Sequence, residues 1–76
     1  MAYINKITGE VFEYLGMIDG MVVLSEYVKN TNKHIKQNAF KKMYCEATPD
    51  TVNLNKLYQI KYDIYLNSKN SLHTLV

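Results

Sequence analysis

Residues 10–29 read EVFEYLGMIDGMVVLSEYVK, and the fold turns on how this stretch pairs with itself. Two apolar runs meet at Asp19-Gly20. Asp-Gly between such runs is the strongest local hairpin signal, because both residues tolerate the positive φ of a tight turn. The flanks are rich in Val, Tyr, Phe and Leu, which suit a pleated, half-buried surface. The stretch predicts a β-hairpin, and its register has two readings. A two-residue turn at Asp19-Gly20 pairs Leu15 with Leu24 and Phe12 with Tyr27. It also sets Glu13 against Glu26, a like-charge pair that disfavours it. A three-residue loop, Ile18 to Gly20, pairs Glu13 with Ser25 and puts Phe12, Tyr14, Val22 and Leu24 on one face. The second reading is preferred. A slip of one residue would exchange the buried set, and both Leu15 and Leu24 are candidate core positions.

Outward from the hairpin, Tyr3 to Ile7 reads as a short first strand, or as part of one bent strand from Ile4 to Leu15 with Gly9 as a bulge. Beyond it, Asn30-Thr31-Asn32-Lys33 reads as a polar turn, and His34-Ile35-Lys36 continue the sheet. Asn38 caps a helical turn with Phe40, Met43 and Tyr44 on one face, or else Phe40 to Cys45 is a strand; both readings stand. Thr48-Pro49-Asp50 is a turn within one domain. From Leu57 to Leu66, Tyr58, Ile60, Tyr62, Ile64 and Leu66 alternate with polar positions, which favours a strand. A helix there would gather Leu54, Leu57, Tyr58, Lys61, Ile64 and Tyr65 instead. Asn67 to Asn70 is a second polar turn, and Ser71 to Val76 a last edge strand or a tail.

With 76 residues the chain is a single domain with a small core. An apolar share of 47% is too high for disorder. Seven Tyr on so short a chain suggest that some aromatic surface serves a partner or a second copy. The net charge of +2 comes from nine Lys and no Arg. That balance disfavours sequence-specific DNA reading, which relies on bidentate Arg, and it disfavours a DNA mimic, which needs strong acidity. Lys without Arg, with abundant Asn, Ile and Tyr, is what an AT-rich coding sequence yields. Cys45 is alone, so no internal disulfide forms and a reducing compartment fits. No apolar run is long enough for a membrane span, and MAYINKITGE lacks an apolar signal core. The expected location is the cytoplasm, that of the host if a phage encodes the chain.

Little in the sequence points to catalysis, and no enzyme, cofactor or metal site is assigned. Zinc needs about four ligands, and only Cys45, His34 and His73 are on offer. Cys45 as a nucleophile would need a nearby base; the simpler reading is a buried thiol beside Met43 and Tyr44. Glu10, Glu13 and Glu26 converge across the hairpin if they are more than an exposed strand face. The basic stretch is richer: Lys29, Lys33, His34, Lys36, Lys41 and Lys42 lie together with no acid between Tyr27 and Cys45. Tyr27, Phe40 and Tyr44 flank them. Lysines with aromatic rings on a small barrel hold single strands by backbone charge and base stacking. Tyr27, Lys33, Lys36, Phe40, Lys41, Lys42 and Tyr44 are therefore the candidate partner-binding residues.

Four or five short strands with tight turns suggest a mainly β fold, a small antiparallel barrel with room for one short helix; the alternative is α+β with a C-terminal helix. The run TGEVFEYLGMIDGMVVLSEYV, then a basic loop and AFKKMY, resembles the small SH3-like barrels of phages and prophages of low-GC bacteria. The resemblance spans Ile4 to Tyr44 and implies a fold and a viral origin, without a site. The leading functional expectation is a protein-interaction module that binds and modulates a host or phage protein. Non-specific binding of single-stranded nucleic acid through Lys29 to Lys42 is the second. A self-assembling structural piece, such as a homodimer, is the third.

Overall fold

The computed structural model describes residues 1–74, with side chains through Asn70. Five strands and three helices follow in the order β1 (Ala2–Asn5), β2 (Val11–Ile18), β3 (Met21–Glu26), β4 (Thr31–Lys36), α1 (Gln37–Met43), β5 (Tyr44–Glu46), α2 (Pro49–Asn53) and α3 (Lys56–Thr74). The strands form one antiparallel sheet ordered β4-β3-β2-β1-β5. No helix among the described residues is long and apolar enough to cross a membrane.

The hairpin resolves its two registers by using part of each. Asp19 (φ 51°) and Gly20 (φ 76°) make a two-residue turn, so Ile18 pairs with Met21 and Met17 with Val22. The expected three-residue loop is thus absent. Yet beyond a bulge between Tyr14 and Gly16, Tyr14 pairs with Leu24 and Glu13 with Ser25, the pairing that loop predicted. The extra residue is Leu15, and it shifts the register by one. Glu13 no longer faces Glu26, and Phe12, Tyr14, Val22 and Leu24 reach one face. Leu15 is the casualty: its side chain is 54% exposed, whereas Leu24 is fully buried.

Both faces of the sheet are covered. On one, Phe12, Val22, Leu24 and Tyr44 form a core flanked by Tyr14, Ile35, Phe40 and Met43. On the other, Ile4, Val11 and Tyr65 pack with Tyr27, Cys45, Val52, Tyr58 and Tyr62. The β1–β2 connection is set by Asn5, whose buried Oδ1 accepts from the N–H groups of Ile7 (2.9 Å) and Thr8 (3.2 Å). Its Nδ2 donates to the Tyr44 hydroxyl, tying β1 to β5.

Several expectations change. Thr31, Asn32 and Lys33 belong to β4, and the preceding turn runs through Tyr27 to Asn30, with Asn30 at φ 53°. Phe40 and Met43 lie on α1, but Tyr44 begins β5, so each reading of that segment holds for one part of it. Asn38 is not the cap; Lys36 holds that position without a side-chain bond. Thr48-Pro49-Asp50 opens α2 through a capping box of Thr48 with Thr51, and Pro49 fits the first turn because its missing N–H has no helical partner there.

The largest correction is α3. The expected strand over Leu57–Leu66 and the turn at Asn67–Asn70 are both helical. Asn55 Oδ1 accepts from the N–H groups of Leu57 and Tyr58, which satisfies donors that a helix start leaves free. Tyr58, Tyr62 and Tyr65 then fall at i, i+4 and i+7 and meet the sheet as one stripe. Strand alternation fails because Ile60, Ile64 and Leu66 would need burial, and all three are exposed. Of the helical face expected as the alternative, Tyr58 and Tyr65 pack on the sheet, Leu57 and Lys61 lie against Gly9 and Ile64 borders the cavity, whereas Leu54 precedes α3 and is exposed. Of the expected last edge strand or tail, Ser71 to Thr74 continue α3, and Leu75 and Val76 lie outside the described residues.

Leu24→Ala is expected to cost about 2–4 kcal/mol, enough to unfold a domain this small. Leu15→Ala should cost about 0.5 kcal/mol or less, as at other exposed sites. Denaturant titration of the two variants checks this; similar losses would place Leu15 in the core.

Candidate functional site: an aromatic groove beside α1

Side chains of β1, β2, β3 and α1 line a groove of about 200 Å³: Tyr3, Tyr14, Met17, Val22, Gln37, Phe40 and Lys41. Three rings meet there. The Tyr3 and Phe40 centroids are 4.9 Å apart, Tyr3 and Tyr14 5.8 Å, and Tyr14 and Phe40 6.1 Å, all tilted. Below them Phe40 stacks on Tyr44 at 5.5 Å, and Tyr44 meets Phe12 edge-on at 5.8 Å. The cluster is therefore continuous from the buried core to the surface. Phe40, Tyr3 and Tyr14 are half-buried, and Met17 on the rim is exposed. Gln37 ties the rim to the hairpin turn by donating from Nε2 to the Gly20 carbonyl at 3.1 Å. Lys41, which has no ion pair among the described residues, brings a cation to the rim, and Lys36 and Lys42 stand exposed near it in sequence at the start of α1 and along it.

The expected partner-binding residues are divided by the fold. Phe40 and Lys41 line the groove. Tyr44 supports it from below and is buried, so its face is covered. Lys33 on β4 lies over the Phe12 ring, its ammonium 5.2 Å from the centroid. Tyr27 sits on the opposite face of the sheet, 5.8 Å from Tyr65. Tyr3, Tyr14, Met17 and Gln37 were missed. Tyr14 shares the hairpin face that the sequence already assigned to Phe12, and that was a usable signal; Tyr3 depended on the pairing of β1 with β2.

A second cavity, about 360 Å³, lies between the sheet and α3 and is lined by Glu10, Val11, Glu26, Val28, Lys29, Lys61, Ile64 and Tyr65. Glu10 and Glu26 converge here as the sequence suggested. Glu26 is 4% exposed, and its Oε2 has no hydrogen-bond partner among the described residues. Lys29 Nζ bridges the pair, 3.9 Å from Glu10 Oε2 and 4.0 Å from Glu26 Oε1. Burial, and then the hydrogen-bonded and charged Glu10, raise the Glu26 pKa above the ordinary glutamate value. Glu10 is pushed up by burial too, but its hydrogen bonds with Glu26 and Thr8 and the charges of Lys29 and Lys33 leave it lowered. Burial and the neighbouring carboxylate thus make Glu26 the weaker acid of the two.

Glu13 goes elsewhere. It accepts a short hydrogen bond from the Tyr65 hydroxyl and is paired with the N-terminal ammonium at 3.2 Å and Lys69 at 3.8 Å. Burial alone would raise its pKa; these partners outweigh that and lower it. Burial and Glu13 together push the Tyr65 hydroxyl well above the ordinary tyrosine value. Cys45 and His34 stand on opposite edge strands, β5 and β4. Among the described residues, no three His, Cys, Asp or Glu side chains gather as a metal site.

Compared with known proteins, the chain matches no family model, no curated protein and no solved structure.

Glu26 carries the pH prediction. Its folded pKa is raised, so the charged form is the one the fold disfavours, and stability falls as pH rises past the ordinary glutamate value. Glu26→Gln is expected to raise the thermal midpoint at neutral pH. The gain should shrink as pH drops below the ordinary glutamate range, where Glu26 is protonated in both states. Thermal melts across that range test this; a destabilised variant at neutral pH would show that the Lys29 contact outweighs burial.

Proposed function

We propose that the chain is a small protein-interaction module, built as an SH3-like barrel of phage type, that holds a segment of a host or phage protein in the aromatic groove and so modulates it. The observation that carries this reading is the groove: three rings are left half-exposed beside Lys41, continuous with the core beneath. Aromatic side chains bury much area at low entropic cost, and a pocket backed by the core is rigid before binding. The apolar floor suits an aromatic or aliphatic side chain, and the Lys41 rim suits a carboxylate beside it. The barrel reading draws support from the strand order, in which β5 returns after α1 to pair with β1, so that β4 and β5 are the two edges a barrel would bring together.

Nucleic acid is the weaker reading because the rings and cations do not form one track. Tyr44 is buried, Tyr27 lies on the other face, and the three groove rings pack on one another. Stacking of successive bases needs rings presented singly.

Random peptides displayed against the immobilised protein are expected to enrich for an acidic residue next to an aromatic or aliphatic one. Met17→Glu and Lys41→Glu should each weaken the best peptide roughly tenfold, about 1.4 kcal/mol. Enrichment that ignores both changes would overturn the groove. Micromolar or tighter binding of a single-stranded oligonucleotide at physiological salt would instead favour nucleic acid. It would need a log–log salt slope of about −2 to −3, flattened when Lys36, Lys41 and Lys42 become Ala.

A further inference from the structure

We propose that the chain forms a two-fold homodimer through α3, with two copies of the helix packed antiparallel along Leu57, Ile60 and Ile64. These three side chains lie at i, i+3 and i+7, so they form one stripe about 10 Å long. The stripe lies beside the tyrosine row that meets the sheet. Ile60 is 50% exposed; Leu57, which lies against Gly9, and Ile64, which borders the cavity with Glu10 and Glu26, are each 42% exposed, so an apolar edge of all three stays open to solvent.

A second copy fits it because the stripe is complementary to itself. Turned end for end, Leu57 meets Ile64 of the other copy, Ile60 meets Ile60, and Ile64 meets Leu57. The charges agree with that register. Lys56 and Asp63 are seven residues apart and share one flank of the stripe. In an antiparallel pair equivalent flanks face one another, so each Lys56 stands opposite the other copy's Asp63. Neither residue has an ion pair within the described chain. On the opposite flank, Lys61 is engaged with its own sheet. It lines the cavity with Glu10 and Glu26, and its Cγ would stand 3.6 Å from a Cβ placed on Gly9. Its charge is thereby directed away from the two-fold axis.

Pairing of two copies through the β4 edge is disfavoured by comparison. The free edge β4 carries Lys33, His34 and Lys36, all exposed, and two such edges would bring like charges together. The helical stripe is short and buries less than a standard interface, so the dimer is a weak one, with a dissociation constant on the order of 100 μM.

Sedimentation equilibrium of the full chain at concentrations around this value tests the proposal. The wild type is expected to show a monomer–dimer equilibrium. Ile60→Lys, at a half-exposed site that leaves the fold intact by circular dichroism, should weaken it by about tenfold or more. Asp63→Lys should weaken it by about threefold or more, and adding Lys56→Asp should restore it by reversing both pairs. A wild type that stays monomeric at high micromolar concentration overturns the proposal. So does a dimer indifferent to Ile60→Lys, which uses another face, or one that the double exchange fails to restore, which is not antiparallel.

Discussion

Leu15 is one residue more than β2 needs to match β3, and the fold depends on where that excess is placed. A tight Asp19-Gly20 turn twists in the sense that the two strands demand. Left alone, that turn would carry its register to Glu13 and Glu26 and put two carboxylates face to face. The bulge between Tyr14 and Gly16 absorbs one residue, and the strand beyond it is reset. Phe12 and Leu24 then reach zero exposure on one face, while Val11 is buried on the other. Leu15 remains outside because a bulged residue has no partner opposite it.

With β2 buried on both faces, each covering layer needs its own means of attachment. α1 attaches through Phe40, whose ring stacks on Tyr44 and thereby on the core. α3 attaches through tyrosines, whose hydroxyls must find partners when the rings are buried. Tyr65 donates to Glu13 and Tyr58 donates to the Lys6 carbonyl at 3.1 Å. A helix that meets the sheet by tyrosines spends its aliphatic residues elsewhere. Leu57, Ile60 and Ile64 consequently remain at the surface. The same economy of a small core leaves the Tyr3, Tyr14 and Phe40 rings partly open on the other side.

The charges follow the same logic. Glu13 sits where a hydroxyl and two ammonium groups meet it, and its charge is stabilised. Glu26 is buried beside Glu10 with a single exposed lysine bridging them, and its charge is disfavoured. Burial is common to all three carboxyls; the difference lies in the donors that surround each.

Local chemistry in the sequence determined the hairpin and its core face of Phe12, Tyr14, Val22 and Leu24. Turn residues, alternation and like-charge avoidance act over a few positions and can be read there. It also named Phe40 and Lys41 as candidates, and both line the groove beside α1. Tertiary structure alone decided the state of residues 56–74, because Tyr58 to Leu66 satisfies strand alternation and helical spacing together. What selected the helix was a face of the sheet needing cover by Tyr58, Tyr62 and Tyr65, with Asn55 to start the turn. It likewise separated Tyr27 from Phe40, which flank one run of basic residues in the sequence. Neighbours in sequence share a face only when the strands between them leave the same face open, and that is settled by pairing over long range.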